Sequence, residues 1–150
     1  MLAPLLGVWR GSGEGEYPTI DSFRYTEELT FSHVGKPFVA MDQKTRDAES
    51  GLPLHAEMGY LRPQPDDTVE LVLSQPSGIL EIDIGPVVTT ETGLELDLAS
   101  IEVPRAPSAK SVTEVRRRLV VDGDELVYET WMAAVGIPVE KHLRAALARA

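Results

Sequence analysis

The sequence predicts an all-β fold, an antiparallel sandwich or barrel. Three observations carry the prediction. Turn signals recur at close spacing throughout the 150 residues. The segments between them alternate apolar and polar side chains with a period of two. The chain also opens with Gly7-Val8-Trp9-Arg10-Gly11-Ser12-Gly13, a Gly-x-Trp-x-Gly-x-Gly pattern suited to the first strand of a small barrel. Many short alternating segments joined by close turns build sandwiches and barrels.

The first segment puts an apolar plug, Trp9, at one barrel end, and its glycines let the strand bend or approach another backbone closely. After Tyr17-Pro18, Phe23, Tyr25 and Glu27 alternate with Arg24, Thr26 and Glu28. Breaks follow at His33–Pro37, Glu49–Pro53 and Arg62–Asp67. Val69, Leu71 and Leu73 then alternate with Glu70, Val72 and Ser74. The same period of two runs through Ile79–Ile84, Leu94–Leu98, Val112–Val121 and Glu125–Met132. Gln75–Gly78, Gly85-Pro86, Glu91–Gly93 and Asp122-Gly123-Asp124 separate these segments. No long helical pattern precedes the C-terminus. Residues 139–149 support two readings. Their Ala, Leu, Arg and Lys content favours a helix, whereas closing a barrel requires a last strand to pair with the first. The length suits one domain, 1–150, with no linker and no internal repeat.

Composition narrows the function. The formal net charge is −10, which disfavours nucleic acid, whose phosphates need Lys and Arg. The chain has no Cys, so disulfides, thiolate catalysis, iron–sulfur clusters and Cys-ligated zinc are excluded. No apolar run approaches the roughly 18 residues of a membrane span. Met1–Trp9 is apolar but lacks the basic leader of a signal peptide, so a cytoplasmic location is expected.

The order of several short pieces resembles the nitrobindin family. They are Gly7-x-Trp9-x-Gly11-x-Gly13, Tyr17-Pro18-Thr19-Ile20, Phe23-x-Tyr25-x-Glu27-Glu28, Ser32-His33-Val34-Gly35-x-Pro37, Leu54-His55, Gly59-Tyr60-Leu61-Arg62, and Met132-Ala133-Ala134-Val135 leading to His142-Leu143. The resemblance implies a ten-stranded antiparallel β-barrel of the lipocalin and fatty-acid-binding-protein type, with at most short helical turns. It implies haem b in a pocket near one barrel end, reversible binding of nitric oxide, and isomerisation of peroxynitrite to nitrate at ferric iron. By position, His142 would be the axial iron ligand and the catalytic residue, and Thr19 a haem contact at the pocket mouth. The partners would be small molecules, nitric oxide and peroxynitrite, with the chain a monomer or homodimer.

The candidate residues also have plainer readings. Glu140, Lys141 and Arg144 surround His142, so by composition alone it reads as a surface residue; one neutral imidazole is nonetheless a common haem ligand that leaves the sixth position open. His55 is a candidate haem contact on the distal side of the iron, set against a structural role. His33 sits in a turn and reads as solvated or structural. The three histidines lack the short spacings of a zinc site. Met58 and Met132 could line the cavity, although Met is commonly core filler. Thr19 could equally be a turn hydroxyl. In Arg116-Arg117-Arg118, alternate members must face opposite sides of a strand, so the run is not one basic patch. Three rival motifs fail. His55-Ala56-Glu57 lacks the cysteines of a zinc deaminase. The Gly11-x-Gly13-x-Gly15 run has no βαβ unit around it. Glu27 and Glu28, as strand neighbours, cannot form one glycosidase pair. The remaining alternatives within this architecture are a carrier of a lipid or small hydrophobic ligand, and a nitric oxide sensor or store.

Overall fold

A computed structural model describes all residues, Met1–Ala150. Ten strands follow one 3-10 turn at Ala3–Leu5: β1 Gly7–Tyr17, β2 Ile20–His33, β3 Val39–Asp47, β4 Pro53–Pro63, β5 Thr68–Ser74, β6 Leu80–Thr89, β7 Gly93–Glu102, β8 Val112–Asp122, β9 Glu125–Ala134 and β10 Ile137–Arg149. Each strand pairs antiparallel with its neighbour in sequence, and β10 pairs with β1 to close a barrel. The expected ten-stranded all-β barrel is therefore the observed one. No helix is long and apolar enough to cross a membrane.

Of the two readings of residues 139–149, the strand is correct. Residues 143–149 of β10 pair with β1 from Gly15↔Leu143 to Trp9↔Arg149. A helix here would leave β1 and β9 with unpaired backbone edges, a cost that outweighs the modest helix preference of Ala and Leu. The closing seam needs glycine. A Cβ on Gly11 would lie 2.1 Å from the Ala146 carbonyl oxygen.

One end of the barrel is sealed. Trp9 is fully buried, and its indole N–H donates to the Leu5 carbonyl at 2.7 Å. The Arg149 guanidinium stacks 4.2 Å from the Trp9 ring and donates to the carbonyls of Leu6 and Pro4. Cation–π stacking with charge-assisted hydrogen bonds ties the last strand to the segment before the first. Above the plug lies an apolar core that includes Leu29, Phe31, Leu71, Leu96 and Leu126. The opposite end is open and holds the candidate site.

Candidate haem site in the open barrel end

The cavity in the open end has a volume of about 320 Å³. Its walls carry Phe23 and Tyr25 from β2, Val115 from β8, Met132 from β9 and Leu143 from β10. Glycines in β1 make room for the two aromatic rings. Gly13 is paired with Tyr25 and Gly15 with Phe23, and a Cβ on Gly15 would lie 2.1 Å from Phe23 Cζ. Each ring thus lies across the backbone of the adjacent strand.

His142 lies at the rim of this cavity and also lines an outer groove with Phe23, Tyr25 and Leu143. A β-bulge sets its direction. Against β9, Lys141 pairs with Trp131 and Leu143 with Thr130, so His142 is the extra residue between them. A bulge re-aims a side chain that strict alternation would send to the other face. Here it brings adjacent residues, His142 and Leu143, to the same cavity. The His142 Nδ1 lies 3.0 Å from the Glu16 carbonyl oxygen. A carbonyl only accepts, so Nδ1 carries the proton and Nε2 keeps its lone pair. The Tyr17 ring packs edge-on against the imidazole at 5.5 Å, and Tyr17 is itself bonded to Met132 and Ala134 backbone. Burial lowers the His142 pKa against the opposing pull of the Glu16 carbonyl, which favours the neutral ring.

The floor of the cavity is charged. Arg117, only 3% exposed, donates both terminal nitrogens to Glu57, at 2.7 and 2.9 Å. It also reaches Glu81 at 3.1 and 2.5 Å and the Tyr128 hydroxyl. All five guanidinium N–H groups are spent. Gln75 bridges Glu81 and Glu57. Asp83 Oδ2 lies 3.4 Å from Arg117 Nε, outside hydrogen-bond geometry, so neither Asp83 oxygen has a partner. Burial and the neighbouring Glu81 push the Asp83 pKa up to about 7. Burial likewise raises the Glu27 pKa to about 7, although Gln43 donates to it at 2.9 Å. Burial pushes Glu57 up as well, but Arg117 and His55 more than offset it and leave its pKa at about 2. Glu57 is therefore ionised, while Glu27 and Asp83 hold protons up to near neutrality.

The other candidates fall in different places. His55 lines the cavity, with Nε2 3.3 Å from Glu57 Oε1. Met132 also lines it, whereas Met58 points outward and is 60% exposed. Thr19 is exposed in the β1–β2 turn and is not among the cavity-lining residues. The exposed His33 accepts from the Gly35 N–H within its own turn. Arg117 is walled in by protein carboxylates.

The residues present fit a haem. No group of three or more His, Asp or Glu is disposed to hold a bare metal ion, so a metal here would have to bring most of its own ligands. A neutral imidazole with one nitrogen anchored and the other free is able to ligate a haem iron. The apolar walls suit a macrocycle, and Arg24, Lys141 and Arg144 in the outer groove suit its carboxylates. Comparison with known proteins decides the family. Residues 1–149 match the family model of the THAP4-like, heme-binding beta-barrel domain. The chain belongs to this family.

Relatives within the THAP4-like haem-binding barrels align over nearly the whole chain. Peroxynitrite isomerase 1 of Mycolicibacterium paratuberculosis is 55% identical over 149 residues, spanning 99% of this chain and 92% of the relative. Peroxynitrite isomerase of Nocardia farcinica is 49% identical over 148 residues, spanning 99% and 88%. The crystal structure of Rv2717c from M. tuberculosis superposes with a TM-score of 0.96 at 49% identity, spanning 99% of this chain and 94% of that one.

Proposed function

We propose that this chain is a haem b protein of the nitrobindin kind that isomerises peroxynitrite to nitrate in its ferric state and binds nitric oxide reversibly. Residues 1–150 act as one unit, a monomer or homodimer, in the cytoplasm. The observation that carries this reading is His142: a neutral, oriented imidazole with a free Nε2 at the rim of an apolar cavity. Relatives near 50% identity bear the name peroxynitrite isomerase, which supports the reaction.

Each residue has a task. His142 Nε2 would hold the haem iron, making His142 both the metal ligand and the catalytic residue. The Glu16 carbonyl holds the Nδ1 proton and the Tyr17 edge fixes the ring plane. Phe23, Tyr25, Val115 and Leu143 exclude bulk water. Thr19, exposed in the turn that continues Tyr17, would make the outermost haem contact, and His55 would contact the haem from the cavity wall. Bound there, haem would supply the iron chemistry that peroxynitrite isomerisation and nitric oxide binding need. The charged floor disfavours a fatty acid as cargo, because a descending alkyl chain would meet Glu57, Glu81 and Arg117 rather than apolar surface.

Haemin titration of the purified protein tests the assignment. Wild type gives a Soret band, and His142→Ala gives a band shifted or lost. An unchanged spectrum in the variant removes His142 as ligand. Stopped-flow decay of peroxynitrite then separates catalysis from storage, since no acceleration over buffer by the ferric protein leaves only binding.

A further inference from the structure

Two imidazoles line the cavity, and one suffices to ligate an iron. The other, His55, stands on β4, four positions round the closed ring of ten strands from β10. It is held from two directions. Its backbone N–H donates to Thr45 Oγ1 at 3.1 Å, and its Nε2 lies 3.3 Å from Glu57 Oε1. Glu57 is in turn fixed by both terminal nitrogens of Arg117 and approached by Gln75. A carboxylate held this rigidly keeps one ring nitrogen as an N–H and fixes the ring orientation. The other ring nitrogen, Nδ1, makes no hydrogen bond within the protein. Three lining residues are able to carry positive charge: His55, Arg117 and His142. Arg117 has no free donor, and His142 is taken by the cofactor. His55 is the lining residue with a ring nitrogen left to meet an anion.

We infer that His55 is the anion-holding group of the cavity, donating from Nδ1–H to a small oxyanion bound there, and that Glu57 is its positioning residue, accepting from Nε2–H. The inference rests on the haem reading above. It gives the buried ion-pair layer a role beyond packing: Arg117 and Glu81 hold Glu57, and Glu57 holds the imidazole. A cavity with a carboxylate-rich floor would otherwise repel an anionic substrate. The Arg117 clamp cancels much of that charge, and His55 adds one directed donor.

The test compares a charged with a neutral probe. Wild type, His55→Phe and Glu57→Gln are loaded with haemin; the ferric forms are titrated with azide and the ferrous forms with carbon monoxide. Losing one charge-assisted hydrogen bond weakens azide about tenfold or more in His55→Phe while carbon monoxide affinity changes by less than about twofold. Azide affinity unchanged in His55→Phe, or both ligands weakened alike, overturns the inference. His55→Phe leaves the Glu57–Arg117 pair intact, so folding does not confound it. The apoproteins give a second readout by nitrogen NMR of the histidine rings. The protected His55 Nε2–H signal is present in wild type and lost in Glu57→Gln; the same signal in a folded Glu57→Gln overturns the positioning role. A wild type that shows no Soret band removes the haem reading itself, an outcome distinct from an unaltered azide affinity in loaded His55→Phe.

Discussion

At the scale of single residues, the protein buries more ionisable groups than an all-β core requires, and their states differ. Glu27 is 4% exposed, and burial raises its pKa from 4.5 to about 7. Between those values the folded protein keeps a proton that the unfolded chain releases. The stability of the neutral form is thus full at acid pH and is lost as pH rises through about 7. Glu27→Gln keeps an acceptor for Gln43 and removes the titration. We expect Glu27→Gln to gain on wild type between pH 5 and pH 8, by on the order of 2–3 kcal/mol. Urea melts of both apoproteins at the two pH values measure it; parallel pH profiles would show that Glu27 is ionised throughout. Val135 is another unusual residue. With Gly136 it forms a two-residue hairpin loop in which both have positive φ, 47° and 82°. That type I′ geometry suits Asn-Gly and penalises a β-branched side chain. Val135→Asn should stabilise by about 1 kcal/mol, raising the melting temperature by about 2–4 °C. A lower melting temperature would mean that the 47%-exposed Val135 side chain makes a contribution larger than its backbone strain.

At the scale of elements, the seam between β1 and β10 has the tightest steric demand. Gly11→Ala places a methyl against the Ala146 carbonyl and should cost about 1–3 kcal/mol, read as a lower urea midpoint. An unchanged midpoint would mean that the two strands separate there freely. The sequence shows most of this architecture. Alternation marks β2 and β5 to β9, the Gly-x-Trp-x-Gly-x-Gly pattern marks β1, and a family resemblance singles out His142, whereas β3 and β4 carry no such reading. It did not show how His142 is aimed, because the bulge comes from the register of β10 against β9 and not from any local pattern. It left residues 139–149 open, because Ala, Leu and Arg carry a helical preference that only the partner strand overrides. It also hid the charged floor. In β6, Leu80 and Ile84 face outward, while Glu81 and Asp83 are fully buried. Alternation reveals two faces but not which is inner, and the usual rule of apolar inside fails where a buried Arg gathers carboxylates.

At the scale of the whole molecule, the barrel has three tiers: a sealed apolar base around Trp9, a charged middle around Arg117, and a cavity above. The middle tier is the fragile one. Removing one member of a buried ion pair costs about 3–5 kcal/mol because it strands the partner's charge. Arg117→Met, which leaves Glu57 and Glu81 facing each other, should therefore lower the urea midpoint more than any single change at the outer groove, such as Lys141→Met. Equal midpoints would reduce the clamp to a solvated surface pair. His142 belongs to β10, and its anchor, Glu16, belongs to β1. On the proposed assignment, a chain emerging from the ribosome would lack this grip on a cofactor until β10 had docked beside β1, so a pigmented molecule would be one whose ring has already shut.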